Sequence, residues 1–197
     1  MSKSAILLSG GMDSIALAYW KRPEIAITIN YGQKPFLSEV NSSKEVAKAL
    51  GMEHIVLNID CSSLGGGIMS DKGVLSISPT QEWWPYRNQL LVTLAAMKVI
   101  CLGVSEIMVG TVKTDCNHKD GSKSFYNAID SLMTLQEGAI HISAPAIDMT
   151  TEELICISKV PKPILLWAHS CHISNNPCGT CPGCIKYREV RHNLGIE

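Results

Sequence analysis

The sequence predicts an α/β domain: a parallel sheet of about five strands with helices on both faces, plus a small cysteine-rich element near the C-terminus. Three observations predict it. Short apolar runs alternate with segments of helical period along most of the chain. The 197 residues are 46% hydrophobic, enough for one domain with a real core. Four of the eight cysteines, Cys171, Cys178, Cys181 and Cys184, crowd into one short stretch, while Cys61, Cys101, Cys116 and Cys156 are scattered.

The elements follow in order. Ala5–Leu8 is an unbroken apolar run, suited to a strand buried on both faces. Ser9-Gly10-Gly11-Met12-Asp13-Ser14 comes next, and the apolar residues from Ile15 to Ala18 open a helix over Ser14–Lys21. Asp13 and Ser14 are good capping types for it. Ile25–Ile29 is the second strand and ends in the turn Asn30-Tyr31-Gly32-Gln33. Ser38 caps a helix to Leu50, with Gly51 placed to close it. His54–Ile59 is a third strand. From Cys61 to Gln81 periodicity fails, and the segment, with Gly65-Gly66-Gly67, reads as a functional lid or a mobile loop. A long helix spans Asn88–Leu102, capped by Asn88. Then come a strand over Glu106–Val109, a helix over Ser124–Leu135, a strand over Ile140–Ser143 and a helix over Thr151–Ser158, with Asp148 read as a cap. On the last helix Lys186, Arg188 and Arg191 form a solvated face.

Composition narrows the classes. A formal charge of −1 gives no global basic field, so a nucleic-acid partner is not expected. The apolar runs are too short to span a membrane. Met1-Ser2-Lys3-Ser4 leads into a strand without the plan of a signal peptide, so a cytoplasmic setting is expected. In that setting, cysteines spaced Cys171-x6-Cys178-x2-Cys181-x2-Cys184 point to metal rather than disulfides. Four thiolates suit a structural, tetrahedral Zn²⁺, with an iron–sulfur cluster as the competitor. His169 and His172 flank Cys171 as surface residues or as supports of the ligands.

The glycine-rich string after the first strand carries the chemistry. Glycines admit positive φ and a close ligand, and successive N–H groups at a helix start bind phosphate. Arg87 stands at the start of its helix, poorly placed for the helix dipole and well placed to face phosphate. Tyr31 and Gln33 end the second strand, where they can contact a base, although a plain turn around Gly32 explains them equally. Ligands of such sheets bind beyond the strands' carboxyl ends, so Ser9–Ser14, Asn30–Gln33 and Gly110–Asp115 should converge. Trp83 and Trp84 suit packing or an aromatic wall. Cys116 and His118 allow a nucleophilic pair, although a plain loop cysteine is the simpler reading.

The Ser9–Ser14 string resembles the pyrophosphate loop of the N-type ATP pyrophosphatases and departs from the Walker and Rossmann patterns. Together with Tyr31-Gly32-Gln33, Pro85, Arg87-Asn88, Ala144–Thr150, Ser170-Cys171 and Pro177–Cys184, it resembles the 7-cyano-7-deazaguanine synthase (QueC-like) family over nearly the whole chain. That resemblance implies an adenine nucleotide alpha hydrolase-like fold. Residues 1–168 would form the nucleotide-binding domain and residues 169–197 the zinc-binding segment packed on it. ATP would bind through Leu8, Ser9, Gly10, Gly11, Met12, Asp13, Ser14, Tyr31, Gln33 and Arg87. Asp13 and Arg87 would be catalytic, and Trp83, Asn88 and Asp115 would meet the substrate.

The family reaction, as the resemblance implies it, adenylates 7-carboxy-7-deazaguanine with ATP and Mg²⁺. Ammonia then displaces AMP to give an amide, and a second ATP drives the amide to the nitrile. A homodimer is also implied. Two stretches depart from the family pattern. Thr151 stands where the family carries a lysine, leaving Lys113, Lys119 or Lys123 to supply that charge, and Asp115–Lys123 keeps only its first residue. The alternatives are a related ligase that joins the same carboxylate to another amine, including one on a protein, and a tRNA thiolation enzyme. A non-catalytic nucleotide-binding module is a third.

Overall fold

The computed structural model describes residues 2–196. Met1 and Glu197, the outer ends of the two expected segments, lie outside the described residues.

Five strands form one parallel sheet: β1 (Lys3–Leu7), β2 (Ile25–Asn30), β3 (Glu53–Asn58), β4 (Val104–Val109) and β5 (His141–Ser143), in the order β3-β2-β1-β4-β5. The helices are α1 (Met12–Lys21), α2 (Phe36–Leu50), α3 (Arg87–Val99), α4 (Lys123–Thr134), α5 (Thr151–Ser158), the short α6 (Lys162–Leu165) and α7 (Pro182–Asn193). The expected fold class is the one observed.

Strand alternation decides the layers, because successive side chains point to opposite faces. Ile6 and Leu8 face one core, filled by Ile15 and Leu17 of α1, Val46 of α2, Leu154 of α5, Leu165 of α6 and Val190 of α7. Ala5, Ile25, Ile27 and Ile29 face the other, filled by Val92 and Val99 of α3 and Ile129 and Met133 of α4. The central strand β1 is therefore covered on both sides, and the loop after it opens at the middle of the sheet's carboxyl edge. A buried hydroxyl fastens that edge: Thr28 Oγ1 donates to Leu8 O at 2.7 Å and lies 2.8 Å from His54 Nε2.

Element boundaries shift by one to a few residues, and the shifts have causes. α2 begins at Phe36, not Ser38, because Pro35 occupies the entry position; Ser38 instead bonds Asn175, through its N–H to Oδ1 at 3.1 Å and its hydroxyl to the carbonyl at 2.5 Å. α3 begins at Arg87, preceded by Tyr86 at φ +55°, and ends at Val99 in a 3-10 turn; the Asn88 side chain donates to Asp120 O at 2.9 Å rather than capping. The cap of α5 is Thr150, in a reciprocal box with Glu153, while Asp148 pairs with Lys123 at 2.7 Å. Gly51 does close α2, at φ +70°. The segment after β3 is irregular as expected, with one 3-10 turn at Ser62–Leu64, yet it is anchored: Met69 and Trp84 are buried in the core. No helix among the described residues is long and apolar enough to cross a membrane.

Leu154 is fully buried where α5 meets α1. Leu154→Ala is expected to cost about 2–5 kcal/mol of stability, read by urea unfolding.

Candidate active site at the carboxyl edge of the sheet

The loop after β1 is shaped by its backbone. Gly10 adopts φ +79°, and a Cβ there would stand 2.9 Å from Glu39 O and Ser42 Cβ. Only glycine permits both that conformation and the close approach to α2. The Gly10 carbonyl accepts from Ser42 Oγ at 3.0 Å and from the His169 N–H at 2.9 Å. Ser14 Oγ donates to Gly11 O at 3.0 Å and lies 3.2 Å from Ser9 Oγ. The cap residue of α1 is Gly11, and no side chain caps it, so Asp13 and Ser14 sit inside the first turn rather than capping it. The uncapped N–H groups and the positive end of the helix dipole face an open cavity, a ready site for an anion.

That cavity has a volume of about 490 Å³. The three strand-end loops converge on it. Every predicted loop residue from Leu8 to Ser14 except Gly10 lines it, as do Tyr31, Gln33, Arg87, Asn88 and Asp115. Gly10 lies behind the loop, and Trp83 lies outside the lining. Its neighbour Trp84 is the buried one, packed edge-on against Tyr31 with centroids 4.8 Å apart. Gln33 has no free hydrogen-bonding capacity to speak of: its amide donates to Ile29 O and Glu39 Oε2, and its oxygen accepts from the Tyr31 N–H. It holds the turn after β2 and positions Glu39.

Arg87 is held deep in the wall. Nη1 donates to Met69 Sδ at 3.1 Å, so the long loop after β3 braces it. Burial works against its charge, but the surrounding Tyr31, Asp120 and Glu39 hold its pKa above the usual value. Burial pushes Tyr31 up to about 12. Burial also lifts Glu39 to about 7, against the opposing pull of the Gln33 amide and the Arg87 charge.

The sequence reading missed several wall residues. Glu39 sits inside α2 with no motif around it. His118 lies 3.7 Å from Glu82 and 3.5 Å from Thr80 Oγ1, whereas Cys116 is exposed and outside the lining, so no Cys116–His118 pair forms. Lys186 leaves the solvated face assigned to it. Its Nζ donates to Asp13 Oδ2 at 3.0 Å, and it lines the cavity. Asp13 Oδ1 is buried without a partner. Asp115 accepts from the Val112 N–H at 3.0 Å; burial raises its pKa and Lys186 opposes the shift. Arg188 is exposed, as expected.

The four clustered cysteines meet beside this cavity. Their sulfurs lie within 4.8 Å of one another, a set that could hold a metal ion. Backbone donors already point at the sulfurs: His172 N–H to Cys181, Cys184 N–H to Cys181, and the Thr180 and Cys181 N–H groups to Cys178. Those donors hold the Cys178 thiol well below its usual range, the thiolate form that a metal needs. Gly183 permits the tight closure, because a Cβ there would collide with Ser170 O. His169 and His172 are not in the sulfur cluster. His169 bonds Ser174 O through its ring at 3.0 Å and Gly10 O through its backbone.

A five-stranded parallel sheet, an uncapped glycine loop at its centre and a four-cysteine cluster beside that loop define a nucleotide-binding α/β protein with a C-terminal cysteine cluster that could hold a metal ion. The family model described as queuosine biosynthesis protein QueC matches residues 3–193, and the chain belongs to that family. A 7-cyano-7-deazaguanine synthase of Methanobrevibacter smithii is 28% identical, the match covering 96% of this chain and 93% of that protein. One of Chlorobium phaeobacteroides is 30% identical, over 92% and 88%. Among solved structures, NMN synthetase from Francisella tularensis aligns with a TM-score of 0.52 and 17% identity, covering 98% of this chain and 77% of that one, a likeness of fold.

Two outcomes are expected. The folded chain keeps a proton on Glu39 from about 4.5 to about 7 that the unfolded chain releases, so this group's contribution to stability is lost as pH rises through that window. Glu39→Gln removes the loss: the variant should exceed the parent at pH 8 by about 1–3 kcal/mol and match it near pH 4.5, measured by urea unfolding. Stripping the metal with a chelator, or Cys184→Ser, should release the segment that holds Gly10. Melting temperature and ATP affinity should then fall together, while metal analysis shows the loss of about one ion per chain.

Proposed function

We propose that this chain converts 7-carboxy-7-deazaguanine and ammonia to 7-cyano-7-deazaguanine at the expense of ATP. The family match over residues 3–193 carries the proposal, and the curated synthases matched along nearly their whole length support it. The two segments, 1–168 and 169–197, would be the nucleotide-binding part and its metal-bound clamp.

The chemistry suits the residues present. A carboxylate is a poor electrophile, and transfer of AMP to its oxygen, with pyrophosphate leaving, gives it a good leaving group. The N–H groups around Gly11 and the start of α1 would hold the polyphosphate, and Arg87 would meet the charge that develops there. Ammonia would then expel AMP to form the amide, and a second adenylation, on the amide oxygen, would let AMP leave again as the nitrile forms. Asp13, with one buried oxygen unpartnered, fits a Mg²⁺ that would neutralise phosphate charge. Four cysteine sulfurs within 4.8 Å of one another, two of them met by backbone donors, fit a Zn²⁺ of structural type. Asn88 and Asp115 would meet the deazapurine; Trp83, outside the lining, would not. The resemblance also supports a homodimer in a reducing, cytoplasmic setting.

The test is mass spectrometry of purified protein with ATP, Mg²⁺, 7-carboxy-7-deazaguanine and ammonium. Nitrile is expected, with about two AMP formed per product. Accumulated amide, or a mass gain on a protein, would favour the ligase reading, and absence of AMP would overturn the proposal.

A further inference from the structure

The cavity is lined by two permanently cationic side chains among the described residues, Arg87 and Lys186. Arg87 is accounted for in the wall beside Tyr31. Lys186 is not called for by the fold. It stands on α7, half-exposed, and reaches across to α1, where its ammonium donates to Asp13 at the start of the phosphate loop's helix. The other lysines near this part of the chain are elsewhere. Lys123 is paired with Asp148, and Lys113 and Lys119 are exposed outside the lining. Thr151, the neutral residue at the start of α5, is buried away from the cavity with its hydroxyl unpartnered. Any lysine charge that meets phosphate here comes from α7.

We propose that Lys186 is the ammonium that binds the polyphosphate chain, and that Asp13 stores it until the anion arrives. The proposal rests on the reading that the Ser9–Ser14 loop holds phosphate. The geometry supplies the reason for the storage. Asp13 puts a negative charge inside the first turn of α1, among the N–H groups that should attract an anion. Left alone it would repel phosphate. Paired with Lys186 it leaves the loop near neutral, and an entering polyphosphate, more highly charged than a single carboxylate, is the stronger partner for the ammonium. A flexible four-carbon stem lets the ammonium move from carboxylate to phosphate without moving α7. The base of that stem is fixed, because Lys186 follows Cys184 within the first turns of α7, whose cap is Cys181. The cysteine cluster thus sets where the ammonium starts from, and Lys186 has a ligand-binding role distinct from a strut between α7 and α1.

The experiment is calorimetric titration of the metal-loaded protein with inorganic pyrophosphate, without Mg²⁺, for the parent, Lys186→Met and Lys186→Arg. Melting temperature and zinc content are read on the same samples. Lys186→Met is expected to weaken pyrophosphate binding about 10- to 100-fold, and Lys186→Arg to keep affinity within a few-fold of the parent. All three proteins should carry the same metal. Parent-like affinity in a folded Lys186→Met would overturn the proposal and leave Lys186 as a strut, as would a lowered melting temperature with affinity unchanged. A parent chain that binds no pyrophosphate would overturn this proposal together with the phosphate-loop reading, whereas failure of the synthase assay alone would leave it standing.

Discussion

One carbonyl organises the site. Gly10 O accepts two hydrogen bonds, from the Ser42 hydroxyl on α2 and from the His169 N–H in the C-terminal segment. Both lone pairs are thereby engaged behind the loop, and the peptide plane is fixed, its own N–H (that of Gly11) meeting Ser9 Oγ at 3.4 Å. A glycine loop free in solution would lose that direction to conformational entropy. Here three parts of the chain share the cost: β1 brings the loop, α2 supports it, and the cysteine-stapled segment closes it from the other side.

The charge in the cavity is less favourable to anions than a phosphate site suggests. Asp13, Glu39, Glu82, Asp115 and Asp120 all line it, against Arg87 and Lys186. Burial answers part of the difference by lifting Glu39 to about 7, where it is only partly ionised near neutral pH, and it raises Asp115 above its ordinary value as well. Pairing answers more of it, with Lys186 on Asp13 and Asp120 near Arg87. The arrangement suits a protein that must admit an anionic nucleotide and an anionic carboxylate together, since each partner finds a cation while the acids hold those cations in place beforehand.

What could be read from the sequence was local. The strands announced themselves as short apolar runs, and the cysteine spacing brought four sulfurs together because the ligands come almost entirely from one stretch of chain. The glycine loop after β1 was legible for the same reason. The cap assignments failed where a side chain found a distant partner: Ser38 bonds Asn175, Asn88 bonds Asp120, and Asp148 pairs with Lys123. Capping preference is worth only about 1 kcal/mol, and a tertiary hydrogen bond competes with it on equal terms. Glu39 and Lys186 were illegible because nothing beside them in sequence marks them; the first is turned inward by α2 and the second is aimed by a helix that starts from the cysteine cluster. Trp83 and Trp84 differ by one position, and only the packing against Tyr31 decides which of them is buried.

The contact between Lys186 and Asp13 joins positions 173 residues apart, and this separation matters while the chain is being made. Ribosomes add roughly 5–20 residues per second, so the loop after β1 waits about 10–35 s for the segment that clamps it. During that wait β1, α1 and β2 can assemble, but the Gly10 carbonyl lacks its His169 donor and Asp13 lacks its counter-ion. A nascent or C-terminally shortened chain would therefore carry a sheet without a competent nucleotide site. Nucleotide binding at this loop would then await the C-terminal segment.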